Sequence, residues 1–248
     1  MLNPRAGCIY YKVGALLLLA SLAGCGSSDK DLPPPIEYSL QTPYPMTRTL
    51  AVAPLINLSG SKDFDTLVAT DTLFSELQQV AGLNVLPLNK TLAAMRSLGI
   101  RVIDSPETAS RIANALNADA IIIASITAYD PYNPPSIGMT IQLYEVRDLA
   151  AAPEPIARRP DGSLASGEVK EEQPQTARGP ASQVSAVFNA NNQTVLQELR
   201  EFARGRTNYD SALKEERFLR DSEAYMRFVC HAMVRRLVEV ERGRASGR

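Results

Sequence analysis

An apolar run near the N-terminus limits how much of this chain can belong to a fold. Val13–Ala23 (VGALLLLASLA) follows two basic residues, Arg5 and Lys12. A helix that crosses a bilayer needs about 20 apolar residues, so this run is too short for a permanent span. A basic start and a short apolar stretch are typical of a secretory signal. The folded part therefore lies downstream of it.

The apolar run ends in Leu22-Ala23-Gly24-Cys25, which resembles the lipobox motif of bacterial lipoproteins. It predicts cleavage between Gly24 and Cys25 and acylation of Cys25. Three acyl chains exceed the two signals that stable membrane anchoring requires. Gly26, in place of an aspartate, favours transfer to the outer membrane with the chain facing the periplasm. A plain secretory signal with an incidental cysteine and an uncleaved anchor remain as alternatives.

The composition excludes several classes of protein. The chain has 248 residues, is 45% hydrophobic and 21% charged, and carries a net charge of −1. Without the signal, the chain has 24 basic and 27 acidic residues and therefore a net charge of −3. This negative charge argues against a nucleic-acid partner. Cys230 is the single thiol left once Cys8 is removed and Cys25 is acylated, and there is one histidine. We therefore expect no disulfide, no metal site and no cofactor.

Composition shifts divide the chain into four parts. Residues 1–24 are the signal, and 25–46 form a polar, proline-rich tether behind the lipidated cysteine. Residues 47–205 form an α/β domain, interrupted by a disordered loop at 147–181 that has almost no bulky apolar residue. Residues 206–248 form a long amphipathic helix packed on the domain.

Hydrophobic periodicity and capping residues predict the elements of the domain. Helices and strands alternate early, strands pair as hairpins later, and the last predicted strand pairs back on the one before the loop. This order predicts a two-layer α/β (α+β) sandwich with a mixed sheet, flanking helices and a long C-terminal helix. Predicted strands cover 49–55, 83–88, 119–128, 139–146 and 183–188; predicted helices cover 63–80, Asn89 to Gly99, Ser105 to Leu116, Asn191 to Gly205, and Asp210 to about Arg242.

Three segments resemble a group of bacterial envelope proteins that includes CsgG, LpoB and the N-terminal domain of TolB. Ala51–Gly60 (AVAPLINLSG) is similar to the opening strand and turn of that group. Phe74–Leu77 with Leu83–Val85, and Ala113–Ile126 (ANALNADAIIIASI), are similar to its later helix–strand passages. The resemblance covers roughly residues 48–147. It implies an anticodon-binding-like α/β sandwich, and its motifs specify a fold better than an activity.

A pore of the CsgG type is disfavoured. Membrane hairpins need strands of about 9–11 residues with alternating apolar positions. The loop 147–181 offers Glu168, Lys170, Glu171 and Glu172 instead. The exception would be a single short hairpin formed by Met139–Val146 and Gln183–Phe188.

Few side chains suggest a catalytic, metal-binding or phosphate-binding role. His231 follows Cys230, but adjacent helical residues diverge by about 100°, so packing is the favoured interpretation of both. Ser59–Ser61 lacks the lysine of a phosphate loop, so we interpret it as a turn. Asp63, Asp65 and Asp71 could be interpreted as a carboxylate cluster, but Asp63 and Asp65 fall in the first turn of a predicted helix, which favours a capping role.

The segment Tyr129–Pro135 is the best candidate for a partner contact, with Tyr129, Asp130, Tyr132 and Asn133 as the contact residues. Tyrosines on a proline-stiffened loop lose little entropy on binding. A rigid connector is the alternative. A basic cluster at the C-terminus suggests either lipid contact or ordinary helix-end cations: Arg235, Arg236, Arg242, Arg244 and Arg248.

Together these observations predict a non-catalytic lipoprotein that acts through protein–protein interaction in envelope assembly, secretion or cell-wall regulation. The alternative is a homo-oligomeric outer-membrane secretion component of the CsgG type. A small-ligand binder or an enzyme is the third and least favoured class.

Overall fold

The structure, a computed structural model, describes residues 40–150, 179–204, 206 and 216–247. The chain separates into Met1–Pro35 and Ile36–Arg248, and every described residue belongs to the second unit. Its strands are β1 Arg48–Val52, β2 Ile56–Asn57, β3 Leu83–Val85, β4 Ala120–Asp130, β5 Ser136–Glu145 and β6 Ser182–Asn189. Its helices are α1 Thr66–Gln78, α2 Leu88–Ser97, α3 Pro106–Ala115, α4 Gln193–Arg204, α5 Glu216–Arg220 and α6 Ser222–Ser246.

All six strands form one mixed sheet in the order β3-β1-β4-β5-β6, with β2 also paired to β4. β1 lies parallel to β3 and β4, with Leu50 opposite both Val85 and Ala120. β4 and β5 form an antiparallel hairpin, and β6 runs antiparallel to β5. The predicted pairing of the strand after the loop with the strand before it is confirmed.

The sheet carries a hydrophobic core on each face. Leu50, Val52 and Ile122 belong to the core under α1, α4, α5 and α6, while Ala51 and Ile121 belong to the core under α2 and α3. This alternation follows from the period of two along a strand. The predicted α+β sandwich with a long C-terminal helix is confirmed, and the structure adds a second helical layer over part of the other face.

The helix starts show where local sequence rules hold and where they fail. Ser105 caps α3 by accepting a hydrogen bond from the Thr108 amide at 3.2 Å, with Pro106 at the first helical position, as predicted. The predicted cap at Asn89 is wrong, because α2 already begins at Leu88, directly after Pro87. Pro87 occupies the cap position with φ −58° and ψ 140°, and α2 begins without a side-chain capping hydrogen bond.

The predicted single C-terminal helix is two helices. α5 ends at Arg220, and Asp221 caps α6 by accepting hydrogen bonds from the amides of Glu223 and Ala224 at 3.0 and 3.2 Å. None of the described helices is long and apolar enough to cross a membrane.

The segments predicted as tether and loop contribute residues to the domain. At the end of the tether, Gln41 forms a parallel bridge with Ala81. At the start of the loop, Leu149 is buried in the core, and its carbonyl accepts a hydrogen bond from Arg48 Nε at 2.9 Å. The rest of the predicted loop, 151–178, and the tether before residue 40 lie outside the described residues.

Candidate functional site

The described domain has two distinct ends along α6. At one, which we call the tether end, Arg242 Nη2 donates to the Gln41 carbonyl at 3.1 Å. The other, the distal end, comprises residues 58–69, 129–136 and 222–226. Met226 and Arg242 are 16 residues apart on one helix, so the two ends are separated by roughly 24 Å along its axis.

A cleft of about 190 Å³ opens at the distal end, between the first turns of α1 and α6 and the end of β4. Phe64 and Tyr129 form its aromatic wall, with ring centroids 4.9 Å apart in an edge-to-face arrangement. Met226 closes the α6 side and is buried. The lining also includes Asp63, Asp65, Val68, Ala69, Thr72, Ser222 and Glu223.

The charged side chains of the cleft are all acidic. Asp65 is the cap of α1, since its Oδ1 accepts hydrogen bonds from the amides of Leu67 and Val68 at 2.9 and 3.1 Å. This confirms the predicted capping role for Asp65. Asp63 precedes the helix and lines the cleft instead, and Glu223 reaches the same cleft from α6. Sequence reasoning did not identify Phe64 or Glu223 as site residues.

The predicted contact residues lie at this end. Tyr129 and Asp130 are the last residues of β4, and Tyr132 and Asn133 lie in the turn to β5. Asp130 Oδ1 accepts a hydrogen bond from the Tyr132 amide at 3.1 Å, which supports the turn. Tyr132, in this turn, is 77% exposed. The structure thus brings Tyr129 to the cleft and leaves Tyr132 in solvent beside it, while their role in binding stays a prediction.

Further large apolar side chains are exposed around the cleft. Leu67 and Val68, in the first turn of α1, are 53% and 45% exposed. Leu58 is 63% exposed and lies beside the second half of β4, because its amide donates to the Ile126 carbonyl at 2.8 Å. Exposed apolar groups gathered with a cleft are typical of an interaction surface.

A polar cluster fixes the chain at the tether end. The buried Glu241 accepts hydrogen bonds from the hydroxyls of Tyr44, at 2.8 Å, and Ser182. Arg244 joins Glu241 to Glu145, with Arg244 Nη1 2.7 Å from Glu145 Oε2. Burial and the Glu241 carboxylate raise the pKa of Tyr44, and the hydrogen bonds to Glu145 raise the pKa of Arg244. This cluster holds the first described residues against the C-terminal helix.

Cys230 and His231 are packing residues, as predicted. His231 Nδ1 lies 3.1 Å from Oε2 of the buried Glu76, and its ring packs on Phe202 at 5.1 Å between centroids. Cys230 is fully buried, and that burial raises the pKa of its thiol. The thiol therefore stays protonated at neutral pH, and a protonated thiol is a poor nucleophile.

Two other sequence candidates also have local partners. The turn at Ser59–Ser61 is organised by Asn57, whose Oδ1 accepts from the Ser59 amide and whose Nδ2 donates to the Ser61 carbonyl. The described arginines of the basic cluster contact groups of the domain. Arg235 and Arg236 pair with Glu198, Arg244 pairs with Glu145 and Glu241, and Arg242 donates to a carbonyl.

The described ranges contain no group of three or more His, Cys, Asp or Glu side chains arranged to hold a metal ion. The predicted cleavage and acylation residues, Gly24 and Cys25, lie outside those ranges, as does Arg248.

No family model and no curated protein matches the chain. Among solved structures, the LpoB C-terminal domain from Salmonella enterica is similar over 58% of this chain and 84% of that domain, with 14% identity and a TM-score of 0.40. Lipoprotein GNA1162 from Neisseria meningitidis is similar over 66% of this chain and 99% of that one, with 14% identity and a TM-score of 0.38. The hypothetical protein CT253 from Chlamydia trachomatis covers 81% of this chain and 96% of its own, with 12% identity and a TM-score of 0.35. At such low scores these likenesses lead to no functional conclusion.

Proposed function

We propose that this chain is a non-catalytic lipoprotein, anchored to the outer membrane through Cys25, that acts by binding a protein partner at the distal end of its domain. The observation that carries the proposal is the separation of the two ends. The chain from the lipobox joins the domain at Gln41, whereas the cleft and Tyr132 lie at the other end of α6. An anchored domain of this kind offers its contact surface away from the point of attachment.

The lipid anchor allows the domain to bind a partner through weak contacts. Leu40 lies 15 positions after Cys25, so the tether reaches at most about 50 Å from the membrane. Confinement to such a layer raises the effective concentration of the domain for partners in the same envelope. A contact surface of modest size is then sufficient for function.

The chemistry of the buried side chains favours contact over catalysis. The histidine is held by Glu76 and packed on Phe202, and the thiol of Cys230 is buried and protonated. The cleft at the distal end is instead bordered by aromatic and exposed apolar groups, which suit a protein surface.

The anchor is tested by labelling cells with radioactive palmitate and isolating the full chain. We expect label in the unchanged chain and in Cys8→Ala, and none in Cys25→Ala. Label that persists in Cys25→Ala, or that is absent from the unchanged chain, would refute acylation at this cysteine.

The contact is tested by photo-crosslinking in living cells, with a photoreactive amino acid in place of Tyr132. The matched control carries it in place of Asn114, an exposed residue of the α3 helix on the other face of the sheet. We expect a discrete crosslinked product from position 132 and none from position 114. The same product pattern from both positions, or no product from position 132, contradicts the proposal.

A further inference from the structure

We propose that the cleft at the distal end takes a cationic segment of the partner, in which an arginine or lysine side chain enters between α1 and α6. This inference rests on the proposed function and adds to it the chemistry of the partner. It is carried by the shape of the cleft, by its apolar walls and by the sign of its charges.

The size of the cleft suits a side chain. Pockets that hold small organic ligands usually measure about 300–1,000 Å³. At about 190 Å³, and open to solvent, this cleft is smaller than that range. One long side chain from a protein surface fits it better than a metabolite does.

The walls suit a side chain that is apolar along its stem. Phe64 and Tyr129 present an aromatic wall, and Met226 faces it from α6. Arginine and lysine bury their methylene stems against such surfaces and keep the charged group at the rim. A guanidinium or ammonium near an aromatic face is further stabilised by cation–π attraction.

The rim suits a positive charge. Asp63, Asp65 and Glu223 line the cleft, and no basic side chain does. Within the described ranges, the carboxylates of Asp63 and Glu223 form no ion pair with the domain itself. The two helix N-termini at the cleft contribute partial charges of about +0.5 each, which three carboxylates outweigh.

The same charges exclude other occupants. An acidic peptide or an anionic lipid headgroup would meet three carboxylates and be repelled. The position of the cleft, roughly 24 Å along α6 from the tether end, agrees with a partner other than the anchoring membrane.

The experiment uses the full chain in detergent micelles with ¹³C-methyl methionine, observed by NMR. The sequence has six methionines, five of them after the predicted cleavage site, and Met226 lines the cleft. The probe is the pentapeptide acetyl-RLRLR-amide, and its control is acetyl-ELELE-amide. We expect RLRLR to shift the Met226 signal in a saturable way, while the signals of Met95 and Met139, buried elsewhere in the domain, stay in place.

Charge-removing variants then test the assigned carboxylates. An ion pair at a partly exposed site contributes up to about 1 kcal/mol, so we expect the double variant Asp63→Asn, Glu223→Gln to weaken RLRLR binding about fivefold. The control Asp71→Asn removes one exposed charge from α1 outside the cleft and should leave the affinity unchanged. Unchanged Met95 and Met139 signals verify that each variant is folded.

The inference is overturned if ELELE shifts Met226 as strongly as RLRLR, or if the double variant binds RLRLR as tightly as the unchanged chain. If either result is obtained while the crosslink from position 132 persists in cells, the proposed contact surface is retained and the proposal of a cationic partner segment is rejected. If the crosslink is absent as well, both proposals fall.

Discussion

At the scale of single residues, Thr70 shows how a buried polar group holds two elements together. Its hydroxyl donates to the Thr66 carbonyl at 2.5 Å within α1 and accepts a hydrogen bond from the Leu55 amide at 2.9 Å. Leu55 lies between β1 and β2, so this hydroxyl joins the strands to the helix. Thr72 lies two residues further along the helix, and the one hydrogen bond of its hydroxyl within the described ranges is to the Val68 carbonyl, at 2.9 Å.

We expect Thr70→Val to lower the free energy of unfolding by about 1–3 kcal/mol, because it leaves the buried Leu55 amide without its acceptor. The matched control Thr72→Val should change it by less than about 0.5 kcal/mol. Urea unfolding followed by circular dichroism measures both. Equal effects of the two substitutions would mean that the hydrogen bond to Leu55 does not stabilise the fold.

Cys230 predicts how stability depends on alkaline pH. Its burial raises the pKa of the thiol above the ordinary value of 9.0, so the unfolded chain releases this proton at lower pH than the folded chain. The stabilisation from the neutral thiol is complete below about pH 9 and is lost as the pH rises above that value.

We expect the free energy of unfolding to decline above about pH 9, and to decline less steeply in Cys230→Ala, by up to about 1.4 kcal/mol per pH unit. Urea titrations between pH 8 and pH 10.5 measure the two slopes. Two tyrosines with raised pKa values, the half-buried Tyr44 and the buried Tyr225, contribute to the decline in both chains. Identical slopes would show that the Cys230 thiol is not protected in the folded state.

At the scale of elements, periodicity and caps predicted most of the fold but missed the break before α6. The apolar stripe of the predicted helix runs through Phe218 and Tyr225 without interruption, so hydrophobic spacing gives no sign of two helices. The signal was the cap itself, Asp221, placed two residues before Glu223. Local backbone hydrogen bonding decided the break, against the longer-range pattern.

We expect Asp221→Ala to lower the free energy of unfolding by about 1 kcal/mol, since the first amides of α6 lose their acceptor. The neighbouring substitution Ser222→Ala is the control, because its exposed side chain has no part in the cap. Thermal or urea unfolding of both variants measures the difference. A cost no larger than that of Ser222→Ala would contradict the capping role.

The candidate site was only partly accessible to sequence reasoning. The turn with Tyr129 and Tyr132 was identified from composition, because tyrosines beside prolines within one short segment indicate a stiff loop that could bind a partner. The cleft was missed because Phe64, Tyr129 and Glu223 come from three distant parts of the chain. Contacts such as Tyr44–Glu241, which are 197 positions apart, have no local signature.

At the scale of the whole molecule, β6 is the last strand in the sheet order, and association between copies through its outer edge is the alternative to a monomeric domain. β6 carries no charged residue that would block pairing of this kind. Its exposed side chains are mostly polar, however: Gln183, Ser185 and Asn189 beside the apolar Val187. Pairing through this edge alone would bury little apolar area.

We therefore expect the full chain in detergent to have the mass of one protein chain per particle when light scattering is combined with size-exclusion chromatography. The detergent contribution is removed by measuring refractive index and absorbance together. A ring-sized particle that Val187→Lys converts to single chains would favour the oligomeric alternative and contradict the expectation.

The two ends of the molecule act together, because the lipid anchor raises the local concentration of the contact surface at the distal end. This coupling is tested most directly by comparing the crosslink from position 132 in two chains within living cells. One chain carries its own residues 1–25, and the other is exported by a secretory signal that leaves no cysteine to acylate. We expect the same product from both chains, with a yield several-fold higher from the anchored one, because confinement raises the effective concentration. Equal yields would contradict this coupling.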